Sequence, residues 1–415
     1  MRDLVPPHFG NAAGSFHALP TWQGPQASYF FLILFSLLAL YDSVFGKYTA
    51  SGGTSIVSVV GSVLFLVLAV RKLLSIDKVG LAAVGPLLLL SALYVIFEDR
   101  TGLDRNIRNG VFLIVVSLVF ILGSRIREVF YVPRYFDVIP LIVLAAFLWL
   151  TVSSASSQHG FADAKNAVSG VLIHMTFMWL ILRRGCGTPK LGFLLELSTY
   201  CFLLAMCILV SHRSFIAITT LCILTTLAFR MGIFRANKKL FVLVFVALMF
   251  YNWFLVYFLA NIQTSSLFTY VNDLSDHYFG RRFTSGREEL WFFILYALRD
   301  KMWLGLGSGT LASDFINTDL SAHNSFLQVM LQMGLVGVAL VVSSLVIVGF
   351  RVISTPHWAL PALGVGYIVV VVLHSSFEVV LTQNNFPIAV LIWFNLGMLY
   401  GMATRPRVYY YGRFS

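Results

Sequence analysis

Runs of apolar residues about 20 long, enough to cross the hydrocarbon core of a bilayer, recur along almost the whole chain. They lie near 27–45, 56–74, 79–97, 108–124, 136–154, 167–182, 191–210, 214–230, 240–260, 324–350, 358–376 and 386–403. The pattern predicts twelve transmembrane helices and an all-α, polytopic membrane protein. The apolar stretch 191–230 is too long for one span, because about 40 residues at 1.5 Å each would reach ~60 Å. Its polar break, Ser211-His212-Arg213-Ser214, marks a turn. The layout is then a tail (1–26), nine spans (27–260), a long polar loop (261–323), three spans (324–403) and a second tail (404–415).

The long loop has a pattern of its own. Ser285-Gly286-Arg287-Glu288 has the S-x-x-E form of a capping box, and the spacing predicts a helix from there to about Trp303. Leu290, Ile294, Leu298 and Met302 form its apolar stripe, with Phe293 and Ala297 beside them. Such a helix would lie on the membrane or on the bundle. Gly305-Leu306-Gly307-Ser308-Gly309-Thr310 follows. It lacks the lysine and the preceding strand of a phosphate-cradling loop and reads as a flexible turn.

Composition changes the picture little: 58% hydrophobic and 11% charged residues fit a membrane protein. Residues 1–25 contain no apolar core, so the first span is expected to act as its own insertion signal. Cys186, Cys201, Cys207 and Cys222 form no CxxC or Cys/His pattern, so no metal site is suggested and they read as small buried hydrophobes. Charge says more. Clusters such as Arg71-Lys72, Arg125-Arg127, Arg183-Arg184 and Lys238-Lys239 all fall on one side of the predicted topology. The positive-inside rule makes that side cytoplasmic, with both termini, and puts 261–323 outside. Arg100, Arg105 and Arg108 sit among Glu98, Asp99 and Asp104 and read as a solvated mixed-charge loop. Outward-facing basic residues at membrane level favour an anionic partner at the lipid surface. Nothing in the sequence provides a soluble basic domain for nucleic acid. The Tyr409-Tyr410-Tyr411 tail suggests anchoring among membrane lipids.

The candidate chemistry is sparse. Arg287 opens the loop helix, where its charge would add to free N–H groups that attract anions; a solvated or headgroup-contacting arginine is the alternative. Arg213 sits in the turn between two apolar runs, where a charge is costly and points to function, although arginine can also snorkel. Arg281 and Arg282 add local positive charge. His323, followed by Asn324, precedes the next span, and the N-terminus of a helix favours a neutral imidazole able to accept a proton; an interfacial histidine is the alternative. His374 and Glu378 are four apart, share a helical face, and read as a secondary acid/base pair or a structural hydrogen bond. His174 is a lone polar residue with a weaker claim. The sequence carries no HExxH and no D-x-D suited to a metal–nucleotide-sugar site.

Taken together, an arginine in SHRS (Arg213), then SGREELW (Arg287), then GLGSG, then His323-Asn324 with nine residues to Gly334 and two more to Gly337, resembles the O-antigen ligase and Wzy-type polymerase superfamily, including exopolysaccharide polymerases. The resemblance covers roughly residues 200–345. It implies a GT-C-like bundle of about twelve spans with one large periplasmic loop. It further implies an inverting, metal-independent glycosyltransferase of the bacterial inner membrane that needs no cofactor. The donor would be a glycan on undecaprenyl diphosphate; the acceptor would be lipid A–core or a lipid-linked repeat unit. Arg213 and Arg287 would hold the diphosphate, with Arg281, Arg282 and Asn324 as further substrate contacts, and His323 would act on the acceptor hydroxyl. A transporter, or an assembly subunit without chemistry, is the rival reading.

Overall fold

The computed structural model describes residues 78–96, 103–125, 139–146, 161–185, 192–209, 213–231, 238–262, 265–279, 287–315, 321–355, 359–382 and 386–404. The expected spans at 27–45 and 56–74, both tails, Cys186, and the Arg281-Arg282 pair lie outside them. Every regular element among the described residues is helical. In order these are α1 (Lys78–Ile96), α2 (Leu103–Arg125), α3 (Phe161–Gly185), α4 (Gly192–Leu209), α5 (Arg213–Arg230), α6 (Lys238–Asn261), α7 (Ser266–Phe279), α8 (Arg287–Leu298), α9 (Ser325–Ile353), α10 (Ala359–Phe377) and α11 (Phe386–Thr404). A helical piece at 139–146 falls within the predicted span 136–154. A 3-10 turn covers Ala312–Asp314.

Four of these helices are long and apolar enough to cross a membrane: Arg105–Ser124, Lys238–Asn261, Ser325–Ile353 and Leu360–Phe377. Shorter apolar helices, Gly80–Ile96, Val168–Arg183, Glu196–Ile208, Ser214–Thr225 and Ile388–Thr404, coincide with the spans predicted at 79–97, 167–182, 191–210, 214–230 and 386–403. The long run 191–230 forms two helices, α4 and α5, the second starting at Arg213.

Helix α10 is central. It contacts α3, α5, α6, α9 and α11, and its side chains from Leu360 to Ser376 are buried. Helix α6 is peripheral. It buries Phe241, Phe245, Asn252, Val256, Leu259 and Ala260, while Leu243, Val246, Phe250, Phe254, Tyr257 and Phe258 point outward. An outward stripe of that size suits acyl chains, not water. Helices α2 and α11 cross closely at Gly123, Gly397 and Gly401, where a Cβ would run into the backbone of Phe394, Phe120 and Ser124 respectively. Small residues four apart are the usual device for such contact within a membrane. Among the cysteines, Cys207 and Cys222 are buried but Cys201 is exposed, so the small-hydrophobe reading keeps only two of the three described here.

Helix α9 is broken at Gly334, which has φ 62° and ψ −158°. A break in a membrane helix frees backbone groups that must find partners inside the protein. The Gly-rich segment supplies them. Leu335 N donates to Met302 O at 2.8 Å and Val336 N to Trp303 O at 3.3 Å. In return, Leu306 N donates to Leu331 O at 2.8 Å and Gly307 N to Gln332 O at 3.1 Å. This close approach requires glycines: a Cβ on Gly305 would lie 2.6 Å from the Gln332 carbonyl carbon, and one on Gly334 would collide with the Trp303 carbonyl. The expectation of a flexible turn is therefore corrected; the segment is a plug wedged into a broken helix.

The plug also shapes α8. Sequence periodicity carries the helix to about Trp303, but it ends at Leu298, because the chain must turn to reach Gly334. Leu290, Ile294 and Leu298 are buried as their spacing suggests, together with Trp291 and Glu288. Met302 falls beyond the helix and is exposed, as is Phe293. Helix α7, whose Phe268, Asn272 and Ser275 are buried, was not legible as a helix in the polar interval. Arg105 is not part of a simple solvated loop: it reaches Asp314 at 3.1 Å, joining the start of α2 to the 3-10 turn.

Candidate active site

Three charged or titratable side chains from distant parts of the chain meet at one end of the bundle. Arg287 is the first described residue of α8, His323 precedes α9, and Glu378 follows the last residue of α10. Glu378 sits between the other two. Its Oε1 lies 3.5 Å from Arg287 Nη2 and its Oε2 lies 3.3 Å from His323 Nδ1. The side chains are 22%, 17% and 26% exposed for Arg287, Glu378 and His323, so each is largely desolvated yet reachable.

The electrostatics follow. Burial would push the Glu378 carboxyl up, but the hydrogen bond and charge of His323, then Arg287 and His374, outweigh it and hold the group below its usual value. Burial pulls the Arg287 guanidinium below its usual value, and the Glu378 charge opposes that shift. An ionised carboxylate only accepts hydrogen bonds. His323 Nδ1 must then carry a hydrogen, and in the neutral imidazole Nε2 keeps the free lone pair.

The backbone beneath this trio is held rigidly. His323 has φ 48°, the left-handed region, which costs a residue with a Cβ about 1–2 kcal/mol. Neighbours on both sides enforce it. Trp291 Nε1, buried in α8, donates to Ala322 O at 2.8 Å. Asn324 caps α9, its Oδ1 accepting from Leu327 N at 2.9 Å. Its Nδ2 donates to Asn252 Oδ1 at 2.8 Å and to Ser376 O at 3.1 Å. Ser325 Oγ donates to Glu378 O at 2.9 Å and accepts from Val380 N at 2.9 Å. The residues flanking His323 and those flanking Glu378 are thus stitched together.

Several sequence expectations change here. Asn324 was expected among substrate contacts; it is buried, with its amide bonded to the cap, Asn252 and Ser376. His374 helps to hold the Glu378 carboxyl down, but the hydrogen bonds of the two side chains go to different partners. Glu378 N still donates to His374 O at 2.9 Å, but the carboxylate turns to the surface trio while the His374 ring lies in the core. There His374 stacks on His174, with Nδ1 3.0 Å from His174 Nε2. His174 Nδ1 in turn meets the Tyr367 hydroxyl at 3.0 Å, and Asn395 Nδ2 donates to that hydroxyl at 3.0 Å. Arg213 opens α5, and its side chain lies outside what the structure describes. Arg281 and Arg282 lie outside the described residues. Glu378 was the residue sequence reasoning underrated, and a signal existed: it is the only acidic residue after Asp319. Asn252 left no such signal, while Trp291 was visible only as part of the SGREELW motif.

Chemically, the trio offers a cation for an anionic ligand and an imidazole nitrogen whose tautomer is set by a carboxylate. Among the described residues no three His, Cys, Asp or Glu side chains gather into a metal-binding group. No protein-family model matches this chain, and no curated protein sequence does.

Proposed function

We propose that the protein is a membrane glycosyltransferase that moves a glycan from a polyprenyl diphosphate, such as undecaprenyl diphosphate, onto an acceptor hydroxyl, as a polysaccharide ligase or polymerase. The observation that carries the reading is the Arg287–Glu378–His323 trio: a cation and an oriented imidazole share one carboxylate at one end of an apolar helical bundle. In this reading the trio lies on the periplasmic side of a twelve-span, GT-C-like bundle of the bacterial inner membrane, with both termini cytoplasmic.

Arg287 holds the diphosphate, whose two charges suit a bidentate guanidinium. The gross attraction is about 4 kcal/mol per charge pair at 4 Å and an effective dielectric of ~20, before desolvation. Arg213, at the start of α5, is assigned the second phosphate contact on the resemblance alone. His323 Nε2 removes the proton from the acceptor hydroxyl as its oxygen attacks the anomeric carbon from the face opposite the leaving group. The bond from that carbon to the phosphate oxygen breaks, and the electron pair leaves with the diphosphate. The acceptor is lipid A–core for a ligase or a lipid-linked repeat unit for a polymerase.

The test uses purified protein in liposomes with a polyprenyl-diphosphate oligosaccharide and an acceptor glycolipid, with products read by mass spectrometry. A new glycosidic bond is expected, lost in His323→Ala and Arg287→Lys and unaffected by chelator. Donor crossing the bilayer with no new bond would overturn the proposal in favour of a transporter. Activity surviving both substitutions would remove the site assignment.

A further inference from the structure

We propose that Asn252, in the middle of the lipid-facing helix α6, is a positioning residue that sets the orientation of His323 through Asn324. Helix α6 is apolar over most of its length, and Asn252 is buried on its inner side. A buried amide at such a site is costly unless it is hydrogen-bonded. Its Oδ1 accepts from Asn324 Nδ2 at 2.8 Å. The same Nδ2 reaches Ser376 O, two residues before Glu378, and the same side chain caps the helix that begins one residue after it. Asn324 is thus a three-way joint between α6, α9 and the end of α10. Asn252 is the only arm of that joint contributed by α6.

Helix α6 matters for a second reason: α8, which carries Arg287, lies against it. The frame that supports the cation therefore also supports the imidazole. Loss of the Asn252 oxygen leaves Asn324 tied only to α9 and α10. The strained backbone at His323, with φ 48°, then loses one of the contacts that over-determine it. His323 swings away from Glu378 while Arg287 stays on its own helix. The consequence is specific: proton removal suffers and anion binding does not.

The inference rests on reading His323 as the base, so the experiment has one arm that needs no turnover. Asn252→Asp keeps an acceptor oxygen at the same reach in either protonation state. Asn252→Gln moves that oxygen by one methylene, and Asn252→Val removes it. In the glycosyl-transfer assay, kcat is expected to fall about 10–100-fold in the Val and Gln variants, with donor KM within about twofold, and to recover in the Asp variant. In the second arm, carbethoxylation of His323 by diethyl pyrocarbonate is followed by mass spectrometry in detergent-solubilised full-length protein. The rate is expected to rise several-fold in Val and Gln and return to the wild-type rate in Asp. Should the Val variant not fold, the Asp and Gln pair decides. Equal labelling rates in wild type, Asp and Gln would overturn the proposal. So would a Gln variant whose loss is in KM alone. If wild type transfers no glycan, the functional reading fails, and the labelling arm still judges Asn252.

Discussion

Two polar regions adjoin α9, one at its N-terminal end and one around its break at Gly334, and they are built on opposite terms. The trio at the end of the bundle is charged, partly exposed and slack: its contacts are 3.3 and 3.5 Å, longer than the roughly 2.7–2.9 Å of a tight charge-assisted bond. The network around the plug is neutral, buried and taut. Tyr94 donates to Gln332 Oε1 at 2.6 Å, Gln332 Nε2 and Gln328 Nε2 both donate to Thr310 O at 3.1 and 3.0 Å, and Asn109 Nδ2 donates to Ser308 O at 2.9 Å. Neutral amides can close a break in an apolar interior without a charge to desolvate. A carboxylate shared loosely between a guanidinium and an imidazole can be re-partnered when an anion arrives. On the proposed function, the contrast separates a device for holding a fold from one for handling a ligand.

The largest effects are expected at the trio. On the proposed function, His323→Ala is expected to lower transfer by about 10²–10⁴-fold and Glu378→Gln by about 10–100-fold. The double variant should be little worse than His323→Ala, because the carboxylate acts through the imidazole. The pH dependence has a defined sign. Since the folded carboxyl of Glu378 lies below its usual 4.5, its ionised pairing contributes stability in full above that value. The contribution is lost only as pH falls through the lowered folded value. Thermal melts of wild type and Glu378→Gln should therefore differ at neutral pH and converge only below about 4.5. Convergence near neutrality would mean that the carboxylate is not the ionised centre of the trio.

What could be read in the sequence divides along the same line. Helices α1 to α6 and α9 to α11 were legible because an apolar run in a bilayer has few alternatives. Arg287 and His323 stood out as the residue opening the capped loop helix and the residue preceding the next span. The plug was not, because periodicity says nothing about a helix broken at Gly334 and repaired by residues 302–307. Glycines needed for close backbone approach look, in sequence, the same as glycines of a loose turn. Glu378 was placed on a helical face with His374; the helix ends at Phe377, and the carboxylate bonds His323 while the His374 ring bonds His174.

Substitutions in the plug should act on stability. Gly334→Ala places a Cβ against the Trp303 carbonyl at a position with φ 62°. It is expected to cost roughly 2–4 kcal/mol or to block folding, read as a lowered unfolding midpoint in detergent. Tyr94→Phe removes the donor to Gln332 Oε1 and should cost about 1–3 kcal/mol, the range for a buried acceptor left unpaired. Transfer per folded molecule should be unchanged. A Tyr94→Phe variant with normal stability and weakened activity would reverse the roles assigned to the two regions.

The smallest effect belongs to the one pair that mixes the two designs, Arg105 and Asp314. It is charged like the trio but fastens the far side of the plug, with side chains 41% and 28% exposed. An exposed ion pair contributes about 0–1 kcal/mol and is screened by salt, so Arg105→Ala should shift stability by less than about 1 kcal/mol. Asp314 has a second task. Its Oδ2 accepts from Leu311 N at 2.8 Å and so caps the 3-10 turn. Asp314→Ala should therefore cost more, by about 0.5–2 kcal/mol, and only the smaller part of that loss should fade in high salt. Equal, fully salt-sensitive losses in the two variants would show that the ion pair, not the cap, fixes the turn. Charge would then be closing the plug as well as forming the site.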